Sequence, residues 1–363
     1  MFGICYNSFD KLRQKHFRRC VACTKAILLK AQLVSQKVAN LVGYSLSPNF
    51  GDELIFILNA WLLRPFARPV MIGASEGFRE RVRLADPGIE SSEDFIDRPD
   101  SAVLFIGGGY FGPAKAIDPF SQFRAEHRRY RSAFDKAQSL RLPVHIVGPE
   151  VGPGLWPVLQ NLWRPIFVGA GYVGVRNEHS ARSVASAFGR RAENIGDIVL
   201  GATASWLNAV DGIAPVARPR TVGVHVTQKV VSRSLPSRWY RQALAEALAD
   251  SDAKHVVLFA DQNNIIGNPE TAELAEILEI SGKSVEIVDY QNVRSTIELI
   301  GSLECTITTK LHVGVVALAL GRNGIAVGLH PKIRRFFDEI ELEENAISFF
   351  SPKYFIVRKL KNR

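Results

Sequence analysis

The chain has 363 residues, 47% hydrophobic and 22% charged, with a mean hydropathy near zero, enough to pack two α/β domains and too apolar for a disordered polypeptide. Its formal charge of +9 and pI near 9.4 invite a polyanion-binding reading. The excess lies at the ends, however: residues 1–40 hold eight bases against the single acid Asp10, residues 352–363 hold five bases and no acid, and residues 41–351 hold 32 bases and 35 acids. This distribution argues against a nucleic-acid surface.

Residues 10–40 read as a basic helical extension in which Leu12, Phe17, Val21, Ala26 and Leu29 are interleaved with bases. Such a segment suits either an anionic lipid surface or a solvated extension, two readings that liposome co-sedimentation with and without it separates. His16, Cys20 and Cys23 share one face of this helix, but a structural zinc site needs a fourth ligand, so the pattern is read as a helix face and no metal is expected. Four cysteines, Cys5, Cys20, Cys23 and Cys305, are too few for a disulfide scaffold. The longest apolar runs, such as Val313 to Leu320, fall short of the roughly 18 to 20 residues of a membrane span, and the N-terminus is too charged for a secretory signal. The expected address is cytoplasmic, with peripheral contact to the membrane through the basic ends.

From residue 41 short β-branched runs alternate with longer amphipathic segments. Expected strands are Val42 to Ser45, Val70 to Ala74, Ala102 to Ile106, Val144 to Val147, Gly171 to Val175 and Asp197 to Leu200. After a stretch from Asp211 to Pro219 the pattern restarts with Thr221 to Val226, His255 to Ala260, Val285 to Asp289, Cys305 to Thr308 and Ile325 to Gly328. Two runs of strand-helix units predict two doubly wound domains, 41–212 and 213–340, facing each other across a cleft, flanked by the extension 1–40 and a basic tail 341–363.

Ligands of such sheets bind beyond the carboxyl ends of the strands, so polar residues there are the site candidates. Asn49-Phe50-Gly51-Asp52-Glu53 follows the first strand; Asp52 is placed to cap the next helix, whose free N–H groups suit an anion or a sugar hydroxyl. Gly107, Gly108 and Gly109 follow the strand 102–106 and read as a loop whose amides can approach a phosphate or sugar; it is neither a P-loop nor a dinucleotide fingerprint. Gly148-Pro149-Glu150 repeats the theme. Arg176 leaves a buried strand at its carboxyl end, where its fork suits either a substrate carboxylate or an internal acid such as Glu178. In the second half, Thr308-Thr309-Lys310-Leu311-His312 leads into a helix. The threonine hydroxyls are placed to cap it, and the positive helix end makes the His312 imidazolium readier to give up its proton, while a bound phosphate favours that proton. Lys332, after His330 and Pro331, adds a cation at the adjacent strand end.

The Asn49 to Glu53 turn, the Gly107 to Gly109 loop, Arg176 followed by Ser180, and Thr309-Lys310-Leu311-His312 before a small-residue helix, in this order over residues 41–340, resemble the polysaccharide pyruvyl transferase family, most of all its exopolysaccharide ketalase branch. The resemblance implies two Rossmann-like domains of the GT-B kind and transfer of the enolpyruvyl unit of phosphoenolpyruvate to sugar hydroxyls, with no further cofactor. It assigns the donor carboxylate to Arg176, phosphate contacts to Lys332 and Lys310, proton donation or phosphate contact to His312, and substrate contacts to Asn49, Ser180 and the glycines. The family's usual Arg-Leu-His reads Lys310-Leu311-His312 here. Implied partners are phosphoenolpyruvate and a polyprenyl-diphosphate-linked sugar acceptor. A GT-B glycosyltransferase using a nucleotide sugar is the alternative; it requires a ribose-binding acid late in the second domain, for which Glu339 and Glu341 are the candidates.

Overall fold

A computed structural model describes residues 37–347 apart from 46–48, 113–123, 125–129, 153–154, 156, 213–214, 228–233, 263 and 329–330. The extension 1–36, with His16, Cys20 and Cys23, the tail 348–363 and His330 lie outside the described residues. The chain divides into two compact units between Ala202 and Thr203.

The first unit is built on seven strands: β1 (Lys37–Val42), β2 (Ala67–Ile72), β3 (Glu90–Ser92), β4 (Ser101–Phe111), β5 (Val144–Val151), β6 (Tyr172–Val175) and β7 (Glu193–Asn194). All pairings are parallel, in the order β3-β2-β1-β4-β5-β6-β7. The order reverses between β1 and β4, the position at which doubly wound sheets open a ligand crevice. The helices α1 (Phe50–Leu63), α2 (Glu76–Ala85), α3 (Ser132–Ser139), α4 (Pro157–Gly169) and α5 (Glu178–Phe188) connect the strands, and α6 (Ile198–Asp211) runs out of this unit. Alternate strand residues Val103, Phe105, Val144, Ile146, Val173 and Val175 join one buried cluster with Trp163 and Phe167 of α4 and Phe188 of α5. Phe111 centres it, with ring centroids 5.2 Å from Trp163 and 4.9 Å from Phe167.

Three expectations are corrected here. The first strand begins at Lys37 rather than Val42, so residues 37–40 are buried sheet and not helical extension. The glycines 107–109 are not a loop after a strand: β4 continues through them to Phe111, with an irregular register against β5 between Gly108 and Phe111. Gly108 sits at φ 125°, where a side chain would be strained, so the run bends a strand that stays paired. Asp197 to Leu200 is the start of α6: the Asp197 carboxylate accepts from the amides of Val199 and Leu200 at 2.8 and 3.3 Å, an N-cap that overrides the β-like apolar run.

His145, on β5, is 3% exposed, and among the described residues neither ring nitrogen has a hydrogen-bond partner. Burial pushes its protonation down from 6.5 to about 4. The unfolded chain therefore takes up this proton first, so stability is full above pH 6.5 and is lost as pH falls from 6.5 toward 4, by up to about 3 kcal/mol. The urea midpoint of wild type should drop over that window more than that of His145→Phe; parallel profiles would overturn this.

The second unit contains β8 (Thr221–His225), β9 (His255–Phe259), β10 (Ser284–Val288), β11 (Cys305–Thr308), β12 (Asn323–Val327) and β13 (Ala346–Ile347), again all parallel, in the order β10-β9-β8-β11-β12-β13. Its reversal falls between β8 and β11. The connecting helices are α7 (Leu235–Ala249), α8 (Pro269–Ile280), α9 (Val293–Ser302), α10 (Leu311–Ala319) and α11 (Pro331–Glu339). Val222, Val224, Leu258, Ile307 and Ile325 pack with Leu244 and Leu248 of α7 and Leu274 and Leu278 of α8. A Cβ on Gly324 would stand 2.8 Å from the Gly314 carbonyl, so this glycine lets α10 lie directly on β12. Among the described residues no helix is long and apolar enough to cross a membrane, and no group of three or more His, Cys, Asp or Glu could hold a metal ion.

Candidate functional site

In the second unit, the functional side chains stand at four neighbouring strand ends. His225 closes β8 and Asp261 lies two residues past β9. Thr308 closes β11, with Lys310 and His312 just after it; Lys332 lies in the first turn of α11, beyond β12. His225 Nδ1 is 3.0 Å from Thr308 Oγ1, a bond that spans the two strands of the switch point. On its other side His225 Nε2 is 3.1 Å from Asp261 Oδ1. Lys310 Nζ donates to both Asp261 oxygens, at 2.9 and 2.7 Å, and its backbone amide donates to Thr308 Oγ1 at 2.9 Å. Thr227 and Thr309 join their hydroxyls at 3.0 Å across the same strand pair. Burial raises the Asp261 carboxyl, but the charges and hydrogen bonds of His225 and Lys310 outweigh it and hold Asp261 down at about 2. It is therefore an anion at any physiological pH.

The expected threonine cap of α10 is corrected by these bonds. Thr308 spends its hydroxyl on the Lys310 amide and on His225, and Lys310 itself is the N-cap, with no side-chain cap bond. The first-turn amides of α10, with the partly buried His312 second in the helix, thus form an N-terminus not closed by a side-chain oxygen, the arrangement suited to an anion.

In the first unit the candidates again occupy successive strand ends. Asn49, not Asp52, caps α1: its backbone is extended and its side chain accepts from the Gly51 amide at 3.1 Å. Asp52 is buried inside the first turn, three positions past the N-cap. Glu53 is fully buried; it accepts from the Asn49 amide at 3.3 Å and from Arg81 Nε at 2.8 Å, a bracing role at the start of α1. Gly107, in β4, is packed so closely that a Cβ would meet Ile55 at 3.2 Å and the Gly148 carbonyl at 3.3 Å. Arg176, one residue past β6 and 7% exposed, is ion-paired to Glu150 on β5, while Asp197 Oδ2 is 3.9 Å from its Nη1. The internal acid paired with Arg176 is thus Glu150 and not Glu178. Ser180 is fully buried, and its Oγ accepts from the Val151 amide at 2.9 Å, tying α5 to β5. Asn177 caps that helix by accepting from the Ser180 amide at 2.8 Å.

Arg176, Asp52 and the glycines belong to one unit, and Lys310, His312 and Lys332 to the other; each set gathers at the carboxyl edge of its own sheet. Residue reading missed His225 and Asp261. The signal was available, since both stand at or just past the end of an expected strand, as Arg176 does.

Two parallel sheets of Rossmann order with polar side chains along their carboxyl edges define an α/β fold of the GT-B-like class. Solved structures of this class are similar to the chain. They include UDP-GlcNAc 2-epimerase from Neisseria meningitidis bound to UDP-GlcNAc (11% identity, TM-score 0.57, 90% of this chain and 91% of that one). The S. aureus MnaA-UDP co-structure (11% identity, TM-score 0.54, 90% and 87%) is another. At this identity the likeness shows the fold alone. A search of curated proteins gave no match. The family model for polysaccharide pyruvyl transferase matches residues 49–331; the chain belongs to this family, and it is a transferase.

Proposed function

We propose that the chain transfers the enolpyruvyl unit of phosphoenolpyruvate to hydroxyls of an exopolysaccharide, or of its polyprenyl-diphosphate-linked repeat unit, and closes a pyruvate ketal. Beside family membership, the observation that supports this reading is the head of α10. Lys310 and His312 stand there at the switch point of the second sheet, on a helix N-terminus without a side-chain cap, and Lys332 follows at the next strand end.

The donor carries a phosphate and a carboxylate. In the proposed reaction His312 delivers a proton to the methylene carbon, which becomes a methyl group and leaves an oxocarbenium-like centre at C2. A sugar hydroxyl attacks C2 and gives up its proton, the C2–O bond to phosphate breaks, and a second hydroxyl closes the ketal with loss of its own proton. Phosphoenolpyruvate and a diol thus yield ketal and inorganic phosphate without any other reactant. Lys310 and Lys332 would take the phosphate charge as it develops, and Arg176 the carboxylate, exchanging Glu150 for the substrate. Asp52 or Glu53 would orient the acceptor hydroxyl or act as the base.

The test is incubation of the full chain with carbon-labelled phosphoenolpyruvate and a lipid-linked oligosaccharide fraction, with labelled nucleotide sugars in a parallel arm. Label in the glycan together with an equal amount of released phosphate is expected from the first arm only. Transfer from the nucleotide sugars alone would replace this reading by glycosyl transfer.

A further inference from the structure

The surroundings of Lys310 are built to a purpose that charge alone does not explain. Asp261 is 3% exposed, and both its oxygens point at the Lys310 ammonium. Behind it, His225 contacts Asp261 Oδ1 and Thr308, and Thr308 in turn receives the Lys310 backbone amide. Lys310 is therefore fixed at both ends, its main chain by Thr308 and its side chain by Asp261, and His225 touches both of these partners at the ends of β9, β8 and β11. The ammonium has three N–H donors. Asp261 takes two, and the side chain is 32% exposed.

We propose that Asp261 is a positioning residue for Lys310: braced by His225, it fixes the ammonium at the head of α10 with one donor left for the anionic group of the substrate. The inference rests on the proposed donor, phosphoenolpyruvate, for its consequence and on the Lys310 geometry for its cause. A lysine is a flexible point charge on a four-carbon stem, whereas an arginine fork is pre-organised; the buried carboxylate supplies the orientation that the lysine lacks.

The experiment is a double-mutant cycle on the full chain. Calorimetric binding of phosphoenolpyruvate is measured for wild type, Asp261→Asn, Lys310→Ala and the double variant, with thermal unfolding of each. In parallel, the rate at which limiting acetic anhydride modifies Lys310 is followed by peptide mass spectrometry. Asp261→Asn is expected to weaken phosphoenolpyruvate about ten-fold and to have almost no effect once Lys310 is alanine. Lys310 acetylation should quicken several-fold in Asp261→Asn. Unchanged affinity, an equal loss in the Lys310→Ala background, or unchanged acetylation would each overturn the proposal. If wild type itself does not bind phosphoenolpyruvate, the donor reading fails, and acetylation alone upholds or overturns the anchoring of Lys310. Should Asp261→Asn not fold, Asp261→Glu, which keeps the charge but displaces it by one methylene, is read in the same way.

Discussion

Replacing His312 by alanine is expected to lower turnover by about 10²- to 10⁴-fold, the range a positioned general acid contributes, while phosphoenolpyruvate still binds. The expectation follows from where α10 begins. Lys310 is extended at φ −112°, ψ 138° and, as the N-cap residue, makes no side-chain cap bond, so an anion at that helix end is held by backbone donors as well as by side chains. Deleting the imidazole removes the proton source but leaves the amides, Lys310 and Lys332 to hold the anion. Binding should therefore weaken far less than turnover, the pattern of an interaction made in the transition state. The measurement is the rate of phosphate release beside calorimetric affinity for His312→Ala and His312→Gln. Wild-type turnover in either variant removes His312 from the chemistry; equal losses in affinity and turnover make it a binding residue only.

The residues that could be read from sequence and those that could not differ in a physical way. Central strands such as Cys305–Thr308 and Tyr172–Val175 are buried on both faces and announce themselves as apolar runs. The edge strand Glu90–Ser92 contains no apolar residue, and Ala346–Ile347 is two residues long, so neither leaves a pattern. The run Ile198 to Leu200 is apolar in the manner of a strand, and the single carboxylate of Asp197 decides that it is a helix. Arg176 and Lys310 are visible in the sequence because a charged residue within two positions of a buried strand's end is unusual. Their partners are not: Lys310 and Asp261 are separated by 49 positions and Arg176 and Glu150 by 26. Strand order alone brings them to the same sheet edge, and one sequence does not state strand order.

Arg176 yields the other large effect, on stability. Its guanidinium is buried against Glu150 and close to Asp197, both of them buried acids. Removing the cation while leaving the acids strands uncompensated charge in the sheet, which costs about 3 to 5 kcal/mol, more than the pair contributes while intact. Arg176→Ala is therefore expected to lower the urea unfolding free energy by that amount. Arg176→Met combined with Glu150→Met should recover more than half of the loss, because the buried carboxylate leaves with its partner. The double variant also separates two roles that Arg176→Ala confounds. If Arg176 only neutralises Glu150, restoring stability restores phosphoenolpyruvate affinity; if it exchanges Glu150 for the donor carboxylate, stability recovers and affinity does not. An unchanged unfolding midpoint in Arg176→Ala would show that the pair carries no structural weight. The assignment of Arg176 to the substrate carboxylate requires the second pattern, in which the loss of affinity outlasts the recovery of stability.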